Sequence, residues 1–157
     1  MQHALNEFGV KEGPGRAKDN ARIIEYFTTM GKAKWRFTSD HHEWCSAFVN
    51  WVLEQTSIPG TDKPTARSWM KWGTPLPKDS PMYGAITVFW RGSRSGWQGH
   101  VGFFSGMENG KILVLGGNQK GASGGGSNQV SLRPYPTRRL LGFRWPTEYA
   151  REIVCRA

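Results

Sequence analysis

Apolar positions recur at helical spacing in the first half of the chain and gather into short runs in the second half. Residues 3–9 predict a short helix, broken by the turn Gly13-Pro14-Gly15. Asp19 or Asn20 is placed to cap a second helix, with Ile23, Ile24 and Phe27 on one face. Residues 31–43 are polar and irregular. From Trp44 the helical period returns, with Cys45, Phe48, Val49 and Val52 in step to about Gln55, and Ile58-Pro59-Gly60 ends the run. Thr65 is placed to cap a further short helix that turns Ala66, Trp69 and Met70 inward and stops at Gly73. Then the pattern changes. AITVFWR (85–91), HVGFFS (100–105) and KILVL (111–115) are short, apolar and rich in β-branched or aromatic residues, and glycine-containing turns separate them. Residues 129–133 and 140–145 are two more candidate strands. Helices followed by an antiparallel meander predict an α+β fold, with the helices packed on one face of the sheet.

The chain has 157 residues, enough for one domain with one core. We therefore expect residues 1–157 to form a single domain, with no second module. Residues 120–128, KGASGGGSN, read as a flexible hairpin loop, with a lid over the site as the alternative. No repeat is visible. The N-terminus has no apolar core of a signal peptide, and no run approaches the roughly 18 apolar residues of a membrane span. Synthesis in a reducing cytoplasm, with no stable membrane insertion, is the expectation. The net charge of +9 favours an anionic partner, but the basic residues are dispersed and no nucleic-acid motif accompanies them.

There are two cysteines, Cys45 and Cys155, too few for a disulfide framework. Cys45 opens an apolar helix. A helix N-terminus lowers a thiol's pKa and offers N–H groups to an oxyanion, so this position suits a nucleophile. A lone cysteine is more often a buried, inert one. His100 changes that balance, because a strand-end histidine beside a helix-end cysteine makes a nucleophile–base pair. Asn118 follows the next strand, in LGGNQ. It is either a turn residue or the group that orients the imidazole.

WCSAFVNWVL, ARSWMKWG, WQGHVGFF and LGGNQ together resemble the NlpC/CHAP superfamily of cell-wall amidases and peptidases, in its small phage-lysin branch, from about Glu7 to Trp145. The resemblance implies a papain-like fold, with the nucleophilic cysteine heading a helix packed on an antiparallel sheet. It places the catalytic roles on Cys45, His100 and Asn118. Many CHAP members carry an acidic residue two places before that Asn, where this chain has Gly116. No residue matches the oxyanion-hole glutamine of papain, so the Cys45 backbone N–H and the Asp40 side chain stand in for it.

Of the many tryptophans, Trp51 and Trp69 lie on apolar helix faces and are expected in the core. Trp97, in a polar turn beside His100, and Trp44 are expected to contact substrate. His41, His42, Glu43 and Cys45 raise the question of a metal. Adjacent histidines do not readily face one ion together with Cys45, and neither HExxH nor CxxC is present, so no metal or other cofactor is expected. The implied activity is hydrolysis of a peptidoglycan amide, either muramoyl–L-alanine or a bond within the stem peptide. It would be carried out by a monomer that reaches the wall after release or delivery. A phage lysin and a secretion-delivered antibacterial effector share this chemistry. A non-catalytic wall-binding or nucleic-acid-binding module is the rival of a different class.

Overall fold

A computed structural model describes residues 1–15, 18–31 and 36–149; Cys155 lies outside them. Three helices, α1 (Gln2–Asn6), α2 (Ala21–Tyr26) and α3 (Cys45–Glu54), precede six strands. The strands are β1 (Thr74–Leu76), β2 (Ile86–Trp90), β3 (Gly99–Glu108), β4 (Lys111–Gln119), β5 (Gln129–Pro136) and β6 (Leu140–Trp145). They form one sheet in the order β1-β6-β2-β3-β4-β5, with every neighbouring pair antiparallel. The α+β expectation holds. Among the described residues no helix is long and apolar enough to cross a membrane.

Local chemistry accounts for the helix boundaries. Asn20, rather than Asp19, caps α2 by accepting a hydrogen bond from the Arg22 backbone N–H. The segment after Thr65 winds as a 3₁₀ helix, Ala66–Lys71, and Gly73 beyond it takes a φ of +58°. Helix α3 is buried along almost its whole length. It packs on β3 and β4, with α2 against its other side. Phe48, Val49 and Val52 join Val101, Phe103 and Leu115 in this core, and Trp51 and Trp69 are buried there as expected. The opposite sheet face holds a smaller cluster of Phe89, Phe104, Ile112, Val114 and Phe143.

Two expectations about single residues are corrected by burial. Trp44 is fully buried, and its indole N–H donates to Glu12 Oε1 at 3.1 Å, so it packs the base of α3 and does not present itself to substrate. Asp40 is also fully buried. Its Oδ2 accepts the backbone N–H groups of Gly13 (2.6 Å) and Asn20 (2.7 Å), which ties the N-terminal segment to the loop before α3. It does not line the groove at Cys45, and so does not serve as an oxyanion donor.

Strand β4 runs past Leu115 to Gln119 with an irregular register between Gly116 and Gln119. The two glycines there have steric reasons. A Cβ on Gly117 would come within 2.4 Å of the Trp44 ring and 2.9 Å of Phe48, so glycine lets α3 approach the sheet. A Cβ on Gly116 would lie 3.0 Å from Gln119 Oε1 and 3.4 Å from His100 Nε2. Its absence leaves that space to their contact.

Candidate active site

Cys45 is the first residue of α3 and is 3% exposed. Helix α3 packs on β3, the strand that carries His100. Burial pushes the thiol up to about 11, and the Glu43 charge adds to this. The amides of Val101 and Ser46 act in the opposite direction but do not overcome it. Loss of hydration thus opposes the lowering expected at a helix N-terminus and outweighs the local amides.

His100 is buried in β3, and its Nε2 lies 2.8 Å from Gln119 Oε1. The Gln119 amide is oriented by its other end, since Nε2 donates to the Ser131 carbonyl at 2.6 Å. Oε1 also accepts from the Tyr135 hydroxyl at 3.0 Å. An acceptor facing Nε2 selects the tautomer that carries its proton there, which leaves Nδ1 as the basic nitrogen. Tyr135 also stacks on the imidazole, with centroids 5.0 Å apart, and on Phe89 at 4.7 Å. Burial raises the Tyr135 pKa, so its hydroxyl stays a donor.

Asn118 does not face His100. It sits at φ +57° in the irregular stretch of β4, and its Nδ2 donates to Glu43 Oε2 at 2.7 Å. The orienting position assigned to Asn118 from the sequence is occupied by Gln119. The physical reason is the left-handed residue, which breaks the strand's strict alternation just before Gln119. Glu43 Oε2 also receives Arg91 Nη1 at 3.3 Å. Gln119, Tyr135 and Arg91 were not singled out from sequence. Gln119 carries a signal only once β4 is known to extend that far; Tyr135 and Arg91 carry none.

A groove of about 420 Å³ opens here, with Cys45, His42, Glu43, Arg91, Ala66 and Trp97 among its lining residues. Trp97 is 77% exposed. Its loop is held by Arg67, whose guanidinium donates to the carbonyls of Gln98 (2.8 Å), Arg94 (2.8 Å) and Ser93 (2.9 Å). The four residues weighed as a metal set are dispersed. His41 turns toward Asp40, His42 packs edge-on to Phe27 and Phe37, and Glu43 reaches Asn118.

Burial also pulls His100 down to about 4, and neighbouring Arg91 adds to this against the Gln119 hydrogen bond. An unfolded chain takes up this proton near pH 6.5, so folding gains from a neutral His100 above that pH. This contribution falls as the pH drops from about 6.5 toward 4, by up to about 3 kcal/mol in all. Urea unfolding at pH 7 and pH 4.5 should show the loss, and His100→Gln should reduce it. An equal pH dependence in the variant would contradict this account.

A family model described as "CHAP domain" matches residues 37–118, and the chain belongs to that family. The match contains Cys45 and His100 and ends one residue before Gln119. Among solved structures, the chain is similar to the P60 domain of M. avium subspecies paratuberculosis antigen MAP1204. That likeness has a TM-score of 0.50 and 16% identity, and covers 93% of this chain and 90% of the other. It is also similar to the wild-type endolysin LysIME-EF1, with a TM-score of 0.50, 14% identity, and coverage of 83% of this chain and 65% of that one. No curated protein matches. The fold is thus the papain-like α+β fold of NlpC/P60 and CHAP proteins. Family and fold together support a peptidoglycan hydrolase in general.

Proposed function

We propose that the protein is a cysteine-dependent peptidoglycan amidase or endopeptidase, lysin-like in action. In this reading Cys45 is the nucleophile, His100 the base and Gln119 the residue that orients it. The observation that carries it is the locked Gln119 amide against His100 Nε2, which leaves Nδ1 as the basic nitrogen. Thiol and imidazole both rest neutral, so the proton moves as bonding begins. The S–H proton passes to Nδ1 while sulfur attacks the amide carbon, and the carbonyl electrons move onto oxygen. Backbone N–H groups at the start of α3, Cys45 first among them, receive that oxyanion. The C–N bond then breaks, and the leaving nitrogen takes the proton from His100. Water, deprotonated by His100, attacks the thioester and restores the Cys45 thiol. Trp97 offers an exposed face to a sugar or a stem peptide. The net charge of +9 draws the protein to an anionic wall, where it acts as a monomer after release or delivery.

Mass spectrometry of muropeptides after digestion tests the activity and the bond together. The expected result is addition of one water across a single amide, either freeing whole stem peptides from muramic acid or shortening the stem. Unchanged masses with folded protein, or cleavage of the glycan strand, would refute the reading.

A further inference from the structure

Two arginines meet at the groove beside Cys45, and they are in different states. Arg91 directly follows β2, and its backbone N–H donates to the Gln98 carbonyl at 3.2 Å. Arg67 Nε donates to the same carbonyl at 2.8 Å. Its Nη1 and Nη2 donate to two further loop carbonyls, so the whole Arg67 guanidinium is committed to holding the loop. The Arg91 guanidinium makes one hydrogen bond among the described residues, from Nη1 to Glu43 Oε2 at 3.3 Å, which is long for a charge-assisted bond. Both side chains are more than half exposed, 54% for Arg91 and 70% for Glu43. An exposed pair joined in this way contributes little, so exchanging Glu43 for another carboxylate is easy. Glu43 keeps a second partner if Arg91 leaves, because its Oε2 accepts from the Asn118 amide at 2.7 Å. Among the described residues that line the groove, Arg91 is the one lysine or arginine. Its charge is felt at the reacting groups. It adds to burial in pulling His100 down, and at Cys45 it opposes the rise that burial causes.

We propose that Arg91 is a specificity-determining residue, which leaves Glu43 to pair with a free carboxylate that the substrate carries beside the scissile amide. A guanidinium fork matches a carboxylate with two parallel N–H bonds, a better fit than its present single contact. The substrate class is therefore an acidic peptide. A stem peptide joined through the side-chain carboxyl of a glutamate supplies one, because that linkage leaves the α-carboxylate free. A neutral amide in the same place gives Arg91 no charge to meet and leaves it with Glu43, so the site separates the acid from the amide. The choice of a stem peptide rests on the peptidoglycan reading above; the pairing of Arg91 with a carboxylate does not.

The test uses a pair of synthetic muropeptides that differ at a single stem residue, a γ-linked glutamate in one and its α-amide, isoglutamine, in the other. Binding is measured by calorimetry on the full chain carrying Cys45→Ala, which prevents turnover, and hydrolysis is measured on the parent. The acidic peptide is expected to bind about ten- to a hundredfold more tightly than the amide. Arg91→Gln in the same background should bring that ratio close to unity. Arg91→Lys should retain part of it, because the charge remains without the fork. Glu43→Gln, which removes the competing charge and keeps an acceptor for Asn118, should raise it. A change in the field at His100 acts on both peptides alike, so the ratio isolates the contact with the carboxylate. Circular dichroism establishes that each variant is folded. Equal affinity for the two peptides, a ratio that Arg91→Gln leaves in place, or no binding of either peptide at millimolar concentration would overturn the proposal. A preference for the acidic peptide in a protein that hydrolyses neither would uphold the proposal and refute the hydrolytic reading instead.

Discussion

Alanine in place of Cys45 is expected to abolish muropeptide hydrolysis, a fall of about 10⁴-fold or more, with the fold retained. The side chain is small, and removing one buried sulfur leaves the α3–sheet core in place. Cys45→Ser should also be inactive, because a buried hydroxyl is a far weaker nucleophile than sulfur beside the same base. His100→Ala should match the loss, since the base that receives the thiol proton also returns it to the leaving nitrogen. Iodoacetamide labelling followed by peptide mapping adds an independent readout. With the thiol pushed up to about 11, Cys45 should label slowly at pH 7, and its rate should rise about tenfold per pH unit toward pH 10. Fast labelling at neutral pH that does not rise further would show a resting thiolate. Full hydrolysis by folded Cys45→Ala would remove the mechanism altogether.

Gln119 and Asn118, adjacent in sequence, are expected to behave very differently. Gln119→Ala should lower kcat by about ten- to a thousandfold with little change in KM, because it frees the imidazole to rotate and leaves Nε2–H unpartnered. Gln119→Glu retains an acceptor for His100 and Tyr135 but loses the donor to Ser131. A carboxylate there also favours the imidazolium, so the acid limb of the pH–rate profile should move upward from about 4. A residue with a purely structural role would not move that limb. Asn118→Ala, which removes only the bond to exposed Glu43, should stay within a few-fold of the parent. Comparable losses at the two positions, or an unmoved acid limb in Gln119→Glu, would count against Gln119 as the orienting residue.

Periodicity alone was sufficient to place α3 with Cys45 at its head, to place the strands from Ile86 to Trp145, and to put Trp51 and Trp69 in the core. Each of those follows from local alternation or helical spacing, which burial of one face imposes directly on the sequence. The resemblance carried by WCSAFVNWVL and WQGHVGFF selected Cys45 and His100, which lie on the packed elements α3 and β3. Tertiary structure alone decided the rest. Whether Asn118 or Gln119 turns to His100 depends on a positive φ inside β4, and no periodic pattern registers one irregular residue. Trp44 and Asp40 read as groove residues because they are large or polar next to Cys45. They are buried where Glu12, Gly13 and Asn20, from 20 to 32 positions earlier, meet them in space. The charge states at the centre were equally hidden. A helix N-terminus argues for a thiolate, but the desolvation that opposes it is set by how completely β3, β4 and α3 close around the sulfur, and that is a property of the packed molecule alone.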